Sequence, residues 1–99
     1  MKKELSIILP VFNEKDSLPI MVRLLNSTIK FKKEIIIVYD DQNDNSVEVA
    51  KELAAELPDI TLVHNNIGKG AKYAVEMGVR ISKYENILKS RNVNYLDAP

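Results

Sequence analysis

Residues Leu5–Glu14, LSIILPVFNE, decide how this 99-residue chain is read. Leu5, Ile7, Ile8 and Leu9 form a near-continuous apolar run, which predicts a strand covered on both faces, as in parallel sheets. The run stops at Pro10 and passes straight into a short polar turn. Two later stretches repeat that grammar. Glu34–Val38, β-branched from Ile35 onward, is the strongest strand signal in the chain and ends in Tyr39-Asp40-Asp41-Gln42-Asn43-Asp44-Asn45-Ser46. Ile60–Val63 ends in His64-Asn65-Asn66-Ile67-Gly68-Lys69-Gly70.

Each polar loop leads into a helical pattern. Leu18, Met21, Val22 and Leu25 stand at i, i+3, i+4, i+7, the stripe of a helix with one buried face. Ser17 is its expected N-cap, with Pro19 tolerated in the first turn and Asn26-Ser27-Thr28 at its end. Ala50, Leu53, Ala54 and Leu57 make the next stripe, opened by Asn45 with Glu48 as a capping-box variant and closed by Pro58. Ala71, Ala74, Val75 and Gly78 are the inner face of a third helix, small enough to approach a sheet closely. Strand–helix alternation of this kind predicts right-handed crossovers and a parallel sheet with helices on both faces. Beyond Ser82 the pattern weakens. Residues 83–94 have faint helical character, and Val93–Leu96 is the expected place for a fourth strand. An uncovered sheet edge is a pairing site.

The apolar share of 45% and charged share of 28% are those of a globular domain, and the length allows one small domain over residues 1–99. Fourteen basic residues balance fourteen acidic ones, so no global field draws in nucleic acid or an anionic membrane. Without cysteine there is neither a disulfide framework nor a thiolate metal site. Met1-Lys2-Lys3 before an apolar run imitates a secretory signal. Ser6, Pro10 and the polar Asn13–Asp16 stretch interrupt that imitation, and no small-residue cleavage pattern follows. No stretch approaches the roughly 20 apolar residues of a membrane span. The expected place of work is the cytoplasm, including the inner face of a membrane.

Ligands of open α/β sheets bind outside the carboxyl ends of the strands, where all three polar loops gather. Asp40, Asp41 and Asp44 put three carboxylates within five residues there. Such groups accept N–H donors from a base, hold a ribose hydroxyl or bind a divalent cation; equally, Asp44 and its neighbours can serve as an Asx turn and helix cap. Gly68-Lys69-Gly70 combines flexible backbone N–H groups with a cation at a helix entry. It fits neither the Walker spacing nor the dinucleotide fingerprint, and a plain helix entry accounts for it as well. Phe12 can stack on a base or pack its loop down. His64 reads as a loop histidine without a role.

Taken together and in this order, the loops resemble family 2 glycosyltransferases. LSIILPVFNEKDSLP is similar to the opening of that family, an apolar run followed by Pro-x-[Tyr/Phe]-Asn-Glu. EIIIVYDDQNDNS is similar to its second strand and acidic loop, with Asp40, Asp44 and Ser46 matching and Tyr39 standing in place of the first aspartate. LVHNNIGKGAKYAVEMGV resembles the third strand, Gly-rich turn and following helix. The likeness covers about Leu5 to Ile81 and is nearest to the dolichyl- or polyprenyl-phosphate sugar transferases.

The resemblance implies a three-layer α/β sandwich with a mostly parallel sheet, the Rossmann-like nucleotide-binding half of a GT-A fold. By position, Pro10, Phe12 and Glu14 would line a base and ribose pocket, Asp40 would accept from the base N–H, Asp41 would belong to the same nucleotide site, and Lys69 would lie near the nucleotide. The implied reaction passes a sugar from a UDP- or GDP-linked donor to a lipid phosphate or other hydroxyl acceptor. A divalent cation, Mg²⁺ or Mn²⁺, neutralises the leaving diphosphate in such reactions. Residues 83–99 depart from the family pattern: Asp97-Ala98-Pro99 matches the start of an Asp-x-Asp metal motif, with Pro99 at the second aspartate. Neither a metal-ligand set nor a catalytic residue is therefore assigned, and the chain by itself is expected to be incomplete as a catalyst. Two other readings remain. One is a truncated, non-catalytic relative that self-associates through its open edge. The other is a receiver-type phosphoacceptor domain, which would want an acidic pair after the first strand, where Pro10–Glu14 stands.

Overall fold

The computed structural model describes residues 4–89. Four strands, β1 (Glu4–Val11), β2 (Lys32–Tyr39), β3 (Ile60–His64) and β4 (Ile87–Lys89), form one sheet in the order β3-β2-β1-β4. Every pairing is parallel. Helices α1 (Ser17–Thr28), α2 (Ser46–Glu56) and α3 (Ala71–Ile81) fill the crossovers. The apolar runs are continuous because the central strands bury both faces. Ile7, Leu9, Val11, Ile35 and Ile37 pack against Leu18 and Val22 of α1 and Ala50 and Leu53 of α2. The alternate residues Ile8, Ile36 and Val38 meet Ala74 of α3 on the other face. The sheet is thus the middle of three layers.

Successive crossovers step outward from β1 to β2 to β3, and then the chain returns past β1 to lay down β4 on its far side. The small inner face of α3 permits that return. A Cβ at Gly78 would stand 2.6 Å from Cγ2 of the fully buried Ile8, so helix and strand touch through the missing side chain. Pro10, lacking an N–H, lies within a central strand, a place prolines ordinarily avoid. Among the described residues, β4 pairs only with Ser6–Ile8, so Pro10 owes no ladder bond on that side.

Three local expectations are corrected. The fourth strand begins at Ile87, inside the stretch read as faintly helical. Its apolar residue Ile87 packs on the α3 side of the sheet, and the Ser6 N–H donates to the Asn86 carbonyl at 2.9 Å to begin the ladder. Val93–Leu96 lies outside the described residues. Ser17 is the first residue of α1, following an Asp16 whose side chain makes no cap bond. Asn45 occupies the cap position of α2 without capping it: its side chain turns away to accept the Lys15 N–H at 3.1 Å, and Asp44 takes the Ser46 N–H instead.

The end of the sheet opposite the loops has its own polar anchor. Ser6 and Glu34 are buried there, and the Ser6 hydroxyl donates to Glu34 Oε2 at 2.5 Å. The same oxygen accepts the Lys83 N–H at 2.5 Å, while Ser6 Oγ accepts the Tyr84 N–H at 3.2 Å. These bonds hold the α3–β4 connection against the starts of β1 and β2.

Candidate functional site at the carboxyl edge of the sheet

The parallel strands deliver all three loops to one edge, and between them lies a cavity of about 610 Å³. Phe12, Asp40, Asp41, Gln42, Asp44, His64, Lys69 and Gly70 line it. The volume is that of a small-molecule site. Phe12 is 52% exposed at the end of β1, so an aromatic face of the wall meets solvent.

The first two loops are knitted backbone to side chain. Asn13 adopts a left-handed conformation, φ 49°, which asparagine tolerates better than most residues. Its N–H donates to both oxygens of Asp44, at 3.0 and 2.9 Å. Asp44 Oδ1 also accepts the Ser46 N–H at 2.7 Å. The Glu14 N–H donates to Ser46 Oγ at 2.7 Å, and the Asn45 N–H to Asn13 Oδ1 at 3.2 Å. Glu14 is buried with its carboxylate turned inward to accept the Phe12 N–H at 3.1 Å. Burial pushes its pKa above the ordinary glutamate value, and the nearby Asp44 charge adds to that; the Phe12 N–H bond opposes both.

The third loop is fastened to the second through Asp40. Asn65 Nδ2 donates to Asp40 Oδ1 at 2.7 Å, and the Gly70 N–H donates to Oδ2 at 2.9 Å. His64 stacks on Tyr39 with ring centroids 5.1 Å apart, and its Nε2 lies 2.9 Å from the Asp40 carbonyl oxygen. A carbonyl only accepts, so Nε2 carries the proton. Asp41 accepts the Asn43 N–H at 2.8 Å in a local Asx turn.

Of the residues singled out in the sequence, Phe12, Asp40, Asp41 and Lys69 meet at the cavity wall. Pro10 and Glu14 are not among its lining residues: Pro10 is buried in β1 opposite Val38, and Glu14 braces the loop from beneath. Sequence reasoning passed over Asn65 and the Tyr39–His64 stack, and it matched Ser46 by position without its bond to the Glu14 N–H. Nothing local marks an asparagine after a strand as buried. Among the described residues no group of three or more histidine, aspartate or glutamate side chains is arranged to hold a metal ion. The three loop carboxylates are already engaged by Asn65 and Gly70, by Asn43, and by Asn13 and Ser46. They keep acceptor capacity but do not cluster, so among the described residues they do not by themselves fit a divalent cation.

A doubly wound parallel sheet with a cavity at its carboxyl edge is an α/β domain of Rossmann-like form. Its family follows from comparison with known proteins. Residues 6–89 match Glycosyl transferase family 2, and the chain belongs to that family. Among its relatives is YibD of Escherichia coli K12, an uncharacterized glycosyltransferase, 34% identical over 79 residues that cover 80% of this chain and 23% of YibD. Mouse dolichyl-phosphate beta-glucosyltransferase is 37% identical over 99 residues, 87% of this chain and 30% of the mouse protein. The undecaprenyl-phosphate 4-deoxy-4-formamido-L-arabinose transferase of Pectobacterium atrosepticum is 42% identical over 57 residues, 54% of this chain and 17% of that enzyme. The chain therefore spans less than a third of the length of these relatives. No helix among the described residues is long and apolar enough to cross a membrane.

Proposed function

We propose that this chain is the donor-binding half of a sugar transferase and that the cavity holds the nucleotide of a nucleotide diphosphate sugar. The observation that carries the reading is that three unlike residues line one cavity: the aromatic Phe12, the acidic Asp40 and the basic Lys69. An aromatic ring stacks on a base, a carboxylate accepts base or ribose hydrogens, and a cation attracts phosphate. Asp40 retains acceptor capacity for this role. Its two oxygens offer about four lone-pair sites, of which Asn65 and Gly70 take two.

Transfer then moves the sugar from the diphosphate to a lipid phosphate or another hydroxyl acceptor. The names of the dolichyl- and undecaprenyl-phosphate relatives support the lipid phosphate. No residue is assigned as catalytic base, acceptor site or ligand of a divalent cation. Titration of the chain with UDP and with GDP, each with and without Mn²⁺ and followed by NMR, tests the proposal. Saturable shifts of the Phe12, Asp40 and Lys69 signals are expected with one of the two nucleotides. A folded chain that binds neither would overturn it.

A second reading, a self-associating module, draws on the sheet edge: β4 pairs on one side only among the described residues, and its Leu88 is 43% exposed. Sedimentation across a wide concentration range separates the two, because the donor-site reading does not require a dimer.

A further inference from the structure

Asn65 directly follows β3 with its side chain almost fully enclosed, at 5% exposure. Its backbone N–H donates to the Tyr39 carbonyl at 2.8 Å, extending the β2–β3 ladder by one step. The side chain then uses both donors and its acceptor. Nδ2 donates to Asp40 Oδ1 at 2.7 Å and to the Gly68 carbonyl at 2.5 Å, and Oδ1 accepts the Ile67 N–H at 3.0 Å. The orientation of the amide is unambiguous. A carboxylate and a carbonyl can only accept, whereas a backbone N–H can only donate.

Lys69 therefore sits between two pinned neighbours. Gly68 is held by Asn65, and Gly70 by Asp40 Oδ2 at 2.9 Å. Gly70 has φ 106°, a conformation suited to glycine, and its carbonyl accepts the Ala74 N–H at 3.1 Å in the first turn of α3. The exposed Lys69 side chain thus springs from a backbone fixed on both sides, although the loop itself is short and glycine-rich.

We propose that Asn65 is a positioning residue for the nucleotide site: one side-chain amide orients the Asp40 carboxylate and sets the backbone from which Lys69 reaches the ligand. The inference rests on the nucleotide-binding reading. It adds that the base-facing carboxylate and the phosphate-facing cation are registered to each other through Asn65. A hydrophobic residue cannot replace it, because Gly68 O, Ile67 N–H and Asp40 Oδ1 would each lose a partner. An aspartate cannot either, because it would set a second carboxylate against Asp40 and the Gly68 carbonyl.

The test is a double-mutant cycle on UDP and GDP affinity, using Asn65→Ala, Lys69→Ala and both together, with amide hydrogen exchange on each variant. In the wild-type background Lys69→Ala is expected to weaken binding roughly tenfold, the scale of one hydrogen bond to a charged group. In the Asn65→Ala background the same change should matter less than about twofold, because a wandering Lys69 has little left to lose. Exchange at Gly70 and Ile67 should accelerate in Asn65→Ala while Ile7, Ile8 and Ile36 keep their protection. A lysine effect of equal size in both backgrounds would overturn the coupling. Unchanged Gly70 exchange in a folded Asn65→Ala chain would overturn the positioning itself. Should the wild-type chain bind neither nucleotide, the nucleotide reading falls, and the exchange measurement still judges Asn65 on its own.

Discussion

Gly78→Ala sets two known effects against each other at the α3–β1 contact. Alanine favours a helix interior over glycine by about 1 kcal/mol. The added Cβ, however, would stand 2.6 Å from Ile8 Cγ2, 3.0 Å from Cγ1 and 3.1 Å from Cδ1. Carbon atoms pack best at about 3.5–4.0 Å, so α3 has to retreat from the sheet by roughly 1 Å or Ile8 has to give way. Ile8 has little room to do so. It is fully buried and β-branched, and its strand is held by β2 on one side and β4 on the other. A retreat of α3 also loosens Ala74 and Met77, which pack in the same cluster. Overpacking of this kind costs about 1–3 kcal/mol, so the net expectation is a loss of about 1 kcal/mol.

For a domain of this size that loss lowers the melting temperature by about 4–8 °C. Urea denaturation followed by circular dichroism reads the same change as a lower midpoint at constant slope. The background matters as a control. Ile8→Ala removes all three clashing carbons, so Gly78→Ala in that variant should be neutral or stabilising. A midpoint that rises in the single variant, by the full helix-propensity gain, would show that α3 does not ride on Ile8 and would refute the close-contact reading.

Three further expectations concern the polar anchors. Glu34→Leu leaves the Lys83 N–H without its acceptor and the Ser6 hydroxyl without its own, a loss of about 1–3 kcal/mol; Glu34→Gln, which can serve both, should lose far less in the same urea titration. Glu14 binds its proton more tightly in the folded chain than in the unfolded one, because burial raises its pKa. Its contribution to stability is therefore complete below the ordinary glutamate range and is lost as pH climbs through the raised folded value. Glu14→Gln should abolish that fall, and parallel stability–pH curves for the two proteins would contradict it. Asp40→Asn should weaken nucleotide binding by about 1–3 kcal/mol in calorimetry, since an amide oxygen and an NH₂ cannot together replace two accepting oxygens; an unchanged affinity removes Asp40 from the site.

The α/β class, the first three strands, the three helices and the gathering of the polar loops at one edge were legible in the sequence, because each rests on local signals. A β-branched run such as Ile35–Val38 states its own conformation, and apolar spacing in Leu18–Leu25 states which face a helix buries. Membership of the glycosyltransferase family was legible for the same reason, since its motifs are short stretches read in order. The identity of β4 was not. Ile87–Lys89 is too short to carry a pattern and becomes a strand by pairing with Ser6–Ile8, about eighty positions earlier. The Asn45 cap failed for a related reason: a local bond was available, and a tertiary contact to Lys15 redirected its side chain, whereas Asp44 kept its local bond to Ser46 and added one to Asn13. At the site, the sequence by itself determined which chemical groups reach the carboxyl edge. Only the tertiary structure decided their partners, placing Asp40 in the grip of Asn65 and Gly70 and turning Glu14 under its loop. Those bonds join residues distant in sequence, and their free energy exists only once the sheet has brought the loops together.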